Sequence, residues 1–354
     1  MIKQFSTYNN NDYLVIVNDA LIRVYCNIES APFFSRTTDN NNISSAVYFS
    51  NSFYFSNKKD NKLYCYKNQE SEKEIIYEFD KFEEIKIIKS FSNGEDGEVL
   101  ISGNSKSGNN KCFIFSLLKN KLVSFVPMSN GLKDIEYNSK GDIVQLINHN
   151  IEPSGYIDDE EKIFKVIVYN FNKLKENNEK KLEINDADLT EELLGYISIF
   201  TDEDFYCRTY SEEISKHMHY PLFDNFMYNW PIELSISNDG NCIIYYCEDI
   251  SGLIVANIDG TIKNYFYIEK GYTKDSLYYY NNDNNILYVC DNNSFSAFHL
   301  FQNDEIRDKL NKEYENAINE SENLQYSFEF KKLLYEFLIS VDNKEINRID
   351  KYLE

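Results

Sequence analysis

Two imidazoles stand one residue apart at His217 and His219, on either side of Met218. Side chains alternate along a strand, so this spacing would put both rings on one face, where they could form half of a metal site. No third ligand follows at a fixed spacing, and the remaining histidines are His149 and His299. As loop residues the pair would be ordinary surface histidines. Acids run together at Asp158-Asp159-Glu160-Glu161 and at Asp202-Glu203-Asp204. Paired carboxylates can act as acid and base on a glycosidic bond, or hold calcium when carbonyls are interleaved with them. Adjacent acids are also the usual composition of a solvated turn. Asn281-Asn282-Asp283-Asn284-Asn285 reads as a turn too, without the spacing of a calcium loop. No Walker-type phosphate loop, G-x-G-x-x-G, G-x-S-x-G elbow or H-E-x-x-H helix occurs. A Ser-His-Asp set need not be contiguous, but 4 histidines leave few ways to build one. We therefore expect no metal, no cofactor and no catalytic residue.

The most unusual stretch runs from Phe205 to Trp230. It carries Tyr206, Tyr210, His217, His219, Tyr220, Phe223, Tyr228 and Trp230, with Phe226 and Pro221 among them and Pro231 directly after. Aromatics in an exposed loop are the composition of an interaction surface. The same residues on strands would be buried between sheets. The first option makes these eight side chains the candidate binding residues.

Charge narrows the partners. With 58 acidic and 36 basic residues the net charge is −22. Nucleic-acid affinity comes from Lys and Arg displacing counterions, so no nucleic-acid partner is expected. Anionic membrane surfaces are disfavoured in the same way. The densest basic stretches are Lys119 to Lys121 and Lys173 to Lys181, the second with acids among its lysines. No apolar run approaches the roughly 18 residues of a transmembrane helix. The first residues lack the apolar core of a secretory signal, so a cytoplasmic location is expected. The 7 cysteines are scattered, with no C-x-x-C pair, and most sit in apolar runs. They read as small buried hydrophobes in a reducing compartment.

Such loops need a frame, and the frame repeats. Apolar segments of four to eight residues, rich in Ile, Val, Tyr and Phe, alternate with Asn, Asp, Ser and Gly clusters. That is strand and turn chemistry. Asn is abundant and Gly scarce, so Asn is expected where a turn needs positive φ. From Ala46 to Phe79 four strands follow one another: Ala46–Ser50, Phe53–Ser56, Lys62–Tyr66 and Glu74–Phe79. The second strand of this unit recurs near Asp12, Ser52, Glu98, Asp142, Glu203, Asn241 and Asn285. The mean period is about 45 residues, in the range of propeller blades. A β-sandwich or two smaller β domains would also use short, evenly spaced strands. The four-strand grouping favours a propeller of seven blades, with six or eight as alternatives. Ile2–Ser6 could be the innermost strand of the first blade. It could equally complete the last blade, whose fourth strand is not evident after Phe301.

One unit carries a signature. Leu234-Ser235-Ile236-Ser237-Asn238-Asp239-Gly240-Asn241 leads into Cys242-Ile243-Ile244-Tyr245-Tyr246 and on to Asn257-Ile258-Asp259-Gly260-Thr261. This resembles the WD-like repeat of TolB-type β-propellers, in which F-S-P-D-G opens the second strand and N-A-D-G-T joins the third to the fourth. Asn138-Ser139-Lys140-Gly141-Asp142 looks like a degraded copy. Asp-Gly and Lys-Gly supply the positive φ of a tight hairpin. The resemblance covers residues 234–261 and implies an architecture. The Gly-His and Trp-Asp dipeptides of strict WD repeats are absent.

After Gln302 the periodicity becomes helical. Ile306, Leu310, Tyr314, Ala317 and Ile318 share one face behind an Asn303 cap. A second helix is expected over 327–339, and a third from Asp342 carrying Ile346, Ile349 and Leu353. The domain reading is a propeller over 1–302 and a helical extension over 303–354. The extension would pack on its own propeller, on a partner or on a second copy to form a homo-oligomer.

The sequence thus predicts an all-β protein, a β-propeller with a short C-terminal α-helical tail. Its expected role is a non-enzymatic protein–protein interaction module, a scaffold or neutralising partner. An acidic module favours a basic partner protein. The alternative is a glycan-acting enzyme or small-ligand binder with carboxylates at the central channel.

Overall fold

The strand and turn reading of residues 46–79 matches the structure closely, and four of the other five described sheets repeat its four strands. The computed structural model describes residues 2–8, 11–18, 21–27, 31–38, 42–92, 94, 96–105, 110–126, 132–150, 162–169, 171, 194–200, 205–208, 218–219, 232–247, 252–257, 262–267, 276–290, 294–301, 305, 308, 309, 312 and 342–350. The first sheet holds β1 (Ile2–Tyr8), β2 (Asn11–Asn18), β3 (Leu21–Cys26) and β4 (Phe34–Thr37). The second holds β5 (Ile43–Phe49), β6 (Ser52–Asn57), β7 (Lys62–Tyr66) and β8 (Glu74–Glu78). The third holds β9 (Phe82–Ser90), β10 (Glu98–Ser105), β11 (Asn110–Ser116) and β12 (Lys121–Val126).

The fourth sheet is longer. It contains β13 (Leu132–Tyr137), β14 (Ile143–Asn150), β15 (Lys162–Tyr169), β16 (Leu194–Phe200), β17 (Phe205–Arg208) and β18 (Met218–His219). The fifth has β19 (Ile232–Ile236), β20 (Cys242–Cys247), β21 (Gly252–Asn257) and β22 (Ile262–Tyr267). The sixth has β23 (Leu277–Asn281), β24 (Ile286–Cys290), β25 (Ser294–Phe301) and β26 (Asp342–Asp350). Every pairing is antiparallel and runs in chain order, as consecutive hairpins do.

The sheets stack face to face in a closed ring. In β2, Tyr13, Val15 and Val17 pack on the second sheet, while Leu14 and Ile16 pack on the sixth. This is the period of two of a strand, here with both faces apolar because both are covered. In β10, Val99 and Ile101 face the second sheet and Leu100 faces the fourth. Cys242, Ile244, Leu253 and Val255 join the fifth sheet to Tyr278, Tyr280, Leu287 and Val289 of the sixth. The fourth and fifth sheets are tied where the Ile236 N–H donates to Asp134 Oδ2 at 2.7 Å. Burial falls toward the outside: β6 and β7 are almost wholly buried, whereas β8 is exposed along most of its length. The fold is a β-propeller.

Among the described residues the seven repeat starts correspond to six sheets. Those at Asp142 and Glu203 enter the same sheet, as β14 and β17. Of the two placements open to Ile2–Ser6, the structure takes the first, since β1 pairs with β2 in the first sheet. The missing fourth strand of the last sheet is β26, and this corrects the reading of a third helix from Asp342. The register of β26 skips Ile346, between Asn347 opposite Ala297 and Glu345 opposite Phe298. That bulge breaks the strict alternation of a strand and leaves Ile346 and Ile349 at a helix-like spacing. The open edge of β25 then decides the matter, because an unpaired row of N–H and C=O groups is costly to leave bare. Of the tail, Glu305, Asp308, Lys309 and Lys312 are helical, with Lys309 Nζ on Glu305 at 2.7 Å. The helix expected over 327–339 lies outside the described residues.

Turn chemistry follows expectation. Asn27, Asn51, Asn120 and Asn285 all have positive φ, as do Gly141 and Gly240 of the two signature turns. Asn281 Oδ1 accepts from the N–H groups of Asp283 and Asn284, which holds the 281–285 turn. Cys65, Cys112, Cys242 and Cys290 are buried, and Cys26 is half-buried.

Candidate functional site

The innermost strands β1, β9, β13 and β23, with the adjoining Ser92 and Asp12, place a charged and hydroxyl-rich cluster at the centre of an apolar ring. Each charged member interrupts a strand-forming run: Lys89 in Ile87-Ile88-Lys89, Asp134 and Glu136 on either side of Ile135, and Asp12 ahead of Tyr13 to Val17. Asp134 and Glu136 are two apart on β13 and therefore share a face. Lys89 Nζ lies 2.7 Å from Asp134 Oδ1 and 3.5 Å from Glu136 Oε2. One ammonium is thus shared by two carboxylates.

Both carboxylates are fully engaged. Asp134 Oδ1 also accepts from the Ile135 N–H, and its Oδ2 takes the Ile236 N–H of the fifth sheet. Glu136 Oε1 accepts the N–H groups of Ser92 and Tyr137, each at 3.0 Å, and Oε2 faces the Ser92 hydroxyl at 3.3 Å. Burial pushes the Glu136 carboxyl up to about 7, against the pull of Lys89 and those N–H donors. Burial works against the Lys89 charge, but Asp134 and Glu136 outweigh it and hold the ammonium above its ordinary value.

Asp12 anchors the other side, where the first and sixth sheets meet. Its carboxylate accepts from Thr7 Oγ1 at 2.6 Å, Tyr288 Oη at 2.8 Å and Asn281 Nδ2 at 2.8 Å. Burial raises its pKa, and these three donors oppose the rise. Between the two sides stands Tyr279. Its hydroxyl touches Thr7 Oγ1 and lies 3.3 Å from Ser92 Oγ. Its ring stacks on Phe5 with centroids 5.1 Å apart.

A second polar seam joins the fifth and sixth sheets at the signature turn. Asp239 accepts from Ser237 Oγ, Asn241 Nδ2 and Asn282 Nδ2, at 2.6, 2.8 and 2.6 Å. Burial favours its neutral form, but these donors prevail and lower its pKa. Asn238 Nδ2 donates to Asp283 Oδ2 at 2.7 Å. The Asp-Gly motif is therefore a joint between sheets as well as a hairpin.

Of the eight aromatic and histidine positions read as binding residues, the structure sets Tyr206 and His219 opposite each other on β17 and β18. Tyr210, His217, Tyr220, Phe223, Tyr228 and Trp230 lie outside the described residues, as do both acid runs. Lys119 Nζ, in one of the two basic stretches, is paired with Asp96. Among the described residues no three metal-ligating side chains cluster, and no helix is long and apolar enough to cross a membrane. The central cluster escaped the sequence reading because its members come from four sheets. The available signal was a charge inside each apolar run.

No family model matches the chain, and no curated protein matches it. Similar solved structures include a complex of KlAtg21 with the coiled-coil of AgAtg16, at 12% identity, covering 84% of this chain and 79% of that one, with a TM-score of 0.41. TolB from Acinetobacter baumannii is similar at 11% identity, over 81% of this chain and 59% of its own, with a TM-score of 0.41. The β-propeller domain of Cps50 (Swd1) from Myceliophteria thermophila is similar at 8% identity, over 82% and 80%, with a TM-score of 0.40. The propeller assignment stands on the sheet order and packing described above.

Proposed function

We propose that this chain is a non-enzymatic propeller that binds another protein, a basic one, through the loops at one end of its ring. The observation that supports this reading is the saturation of the central charges. Glycoside cleavage needs two carboxylates facing open space about 5 to 10 Å apart. Asp134 and Glu136 instead share Lys89 and accept backbone N–H groups from neighbouring segments. Such a core gives a rigid ring, and rigid rings leave recognition to their loops. A net charge of −22 favours a basic partner and speeds its encounter at low salt. The aromatics between Phe205 and Trp230 are the residues proposed to anchor it. A cytoplasmic setting suits scattered cysteines that read as small buried hydrophobes.

One feature favours the enzyme reading: burial lifts the Glu136 carboxyl to about 7, the range that suits a general acid. Its side chain is nevertheless fully buried, away from any substrate in solvent. Affinity capture from the source lysate at low and high salt, followed by titration of the purified partner, tests the proposal. A basic stoichiometric partner whose affinity falls with salt supports it. No partner at either salt, with turnover on a glycan panel, would overturn it.

A further inference from the structure

Asp12 and Glu136 are joined by an unbroken file of hydroxyls. Asp12 meets Thr7 Oγ1, Thr7 meets Tyr279 Oη, Tyr279 meets Ser92 Oγ, and Ser92 meets Glu136 Oε2. The file crosses from the first sheet to the sixth, then through the segment after β9 to the fourth.

Counting protons sets its state. There are four contacts, and Thr7, Tyr279 and Ser92 contribute one hydroxyl proton each. With both carboxylates ionised, Thr7 donates to Asp12 and Ser92 donates to Glu136. Tyr279 can then donate to Thr7 or to Ser92, and its other contact has no proton. One added proton on Glu136 completes the set. Glu136 then donates to Ser92, Ser92 to Tyr279, Tyr279 to Thr7, and Thr7 to an ionised Asp12. Every hydroxyl gives once and receives once.

We propose that this file is a proton-operated latch: uptake of one proton by Glu136 aligns the hydroxyls and ties the seam between the first and sixth sheets to the third and fourth. The charged groups around it agree with that assignment. Facing Glu136 are Lys89 of β9, Asp134 of β13 and Tyr279 of β23, with the N–H groups of Ser92 and Tyr137. Facing Asp12 are Thr7, Tyr279, Asn281 and Tyr288, with Asp283 nearby. When Glu136 is neutral, Lys89 and Asp134 remain a balanced pair at 2.7 Å. Burial already places the Glu136 carboxyl at about 7, so the latch operates near neutral pH.

The test is pH-difference infrared spectroscopy on the full chain, following the band of a protonated carboxyl. A titration with a midpoint near 7 is expected in the wild type, and the band should be lost in Glu136→Gln. Tyr279→Phe removes the middle hydroxyl and leaves the Ser92 donor to ionised Glu136 in place. The ionised form loses one bond and the protonated form two, so the midpoint should fall by about half to one pH unit. Thr7→Val touches neither Glu136 nor Ser92. It frees Tyr279 to donate to Ser92, the arrangement that suits ionised Glu136, so its midpoint should fall too. Circular dichroism checks folding of each variant, and either one alone decides the matter. A downward shift in Thr7→Val supports a file acting end to end. Midpoints equal to wild type in the folded variants, or a band that survives Glu136→Gln, would overturn it.

Discussion

Ser92 and Tyr279 stand 187 positions apart in the chain, yet their hydroxyls meet at 3.3 Å in the middle of the ring. The contact joins the segment after β9 to β23, and through Glu136 and Thr7 it reaches β13 and β1. Hydroxyls so placed act on the ring as a whole.

Glu136 should give stability a pH slope of unusual sign. Its pKa rises from 4.5 to about 7 on folding, so between those values the folded state binds more protons than the unfolded one. This contribution is present in full below 4.5 and is lost as pH rises through 7. The loss corresponds to about 3 kcal/mol at most. Asp239 runs the other way, losing its contribution as pH falls, so the wild-type curve alone is not diagnostic. The difference in urea-unfolding free energy between wild type and Glu136→Gln should change across that window. A constant difference would refute the assignment.

Lys89→Met should destabilise the ring by about 3 to 5 kcal/mol, because two buried carboxylates lose their shared counter-charge. The remaining acids repel, so the Glu136 carboxyl should move further up. Denaturant titration at two pH values checks both effects, and a variant as stable as wild type would refute the shared-charge reading.

Gly240 and Gly141 make a matched pair. Both have positive φ, at 67° and 77°. A Cβ on Gly240 would lie 2.5 Å from the Tyr137 carbonyl oxygen, whereas one on Gly141 meets nothing within 4 Å. Gly141→Ala should cost about 1 to 2 kcal/mol, the backbone penalty alone. Gly240→Ala should cost clearly more, since the fourth and fifth sheets must separate. Equal melting temperatures for the two variants would argue against that close joint.

A chain ending at residue 341 lacks β26 and leaves the edge of β25 without its partner strand. Lower thermal stability and concentration-dependent association are expected, read by calorimetry and light scattering. An unchanged mass and melting temperature would show that β26 is dispensable.

Local chemistry carried much of this architecture. Strand ends at Ser52, Glu98 and Cys242 follow from where apolar runs give way to turn residues, and φ > 0 falls on Asn or Gly as their side chains permit. Six of the seven repeat starts open the second strand of a sheet, because a period of hairpins needs only neighbouring residues to be written. Residues 342–350 show the converse: their strand state is imposed by an edge 41 to 56 positions away, which local spacing does not encode. The sheet that absorbs two repeat starts has the same origin, since β17 adds to β16 by edge pairing. Of the central cluster, the sequence shows single charges inside apolar runs but not that they meet. Lys89, Glu136, Tyr279 and Asp12 gain their roles only once ring closure removes water and brings four sheets within hydrogen-bond reach. The sequence by itself determined hairpins, turns and apolar faces, because those depend on contacts a few residues long. Tertiary structure alone decided which charged and hydroxyl groups meet at the centre, because that depends on distances set when the sheets close into a ring.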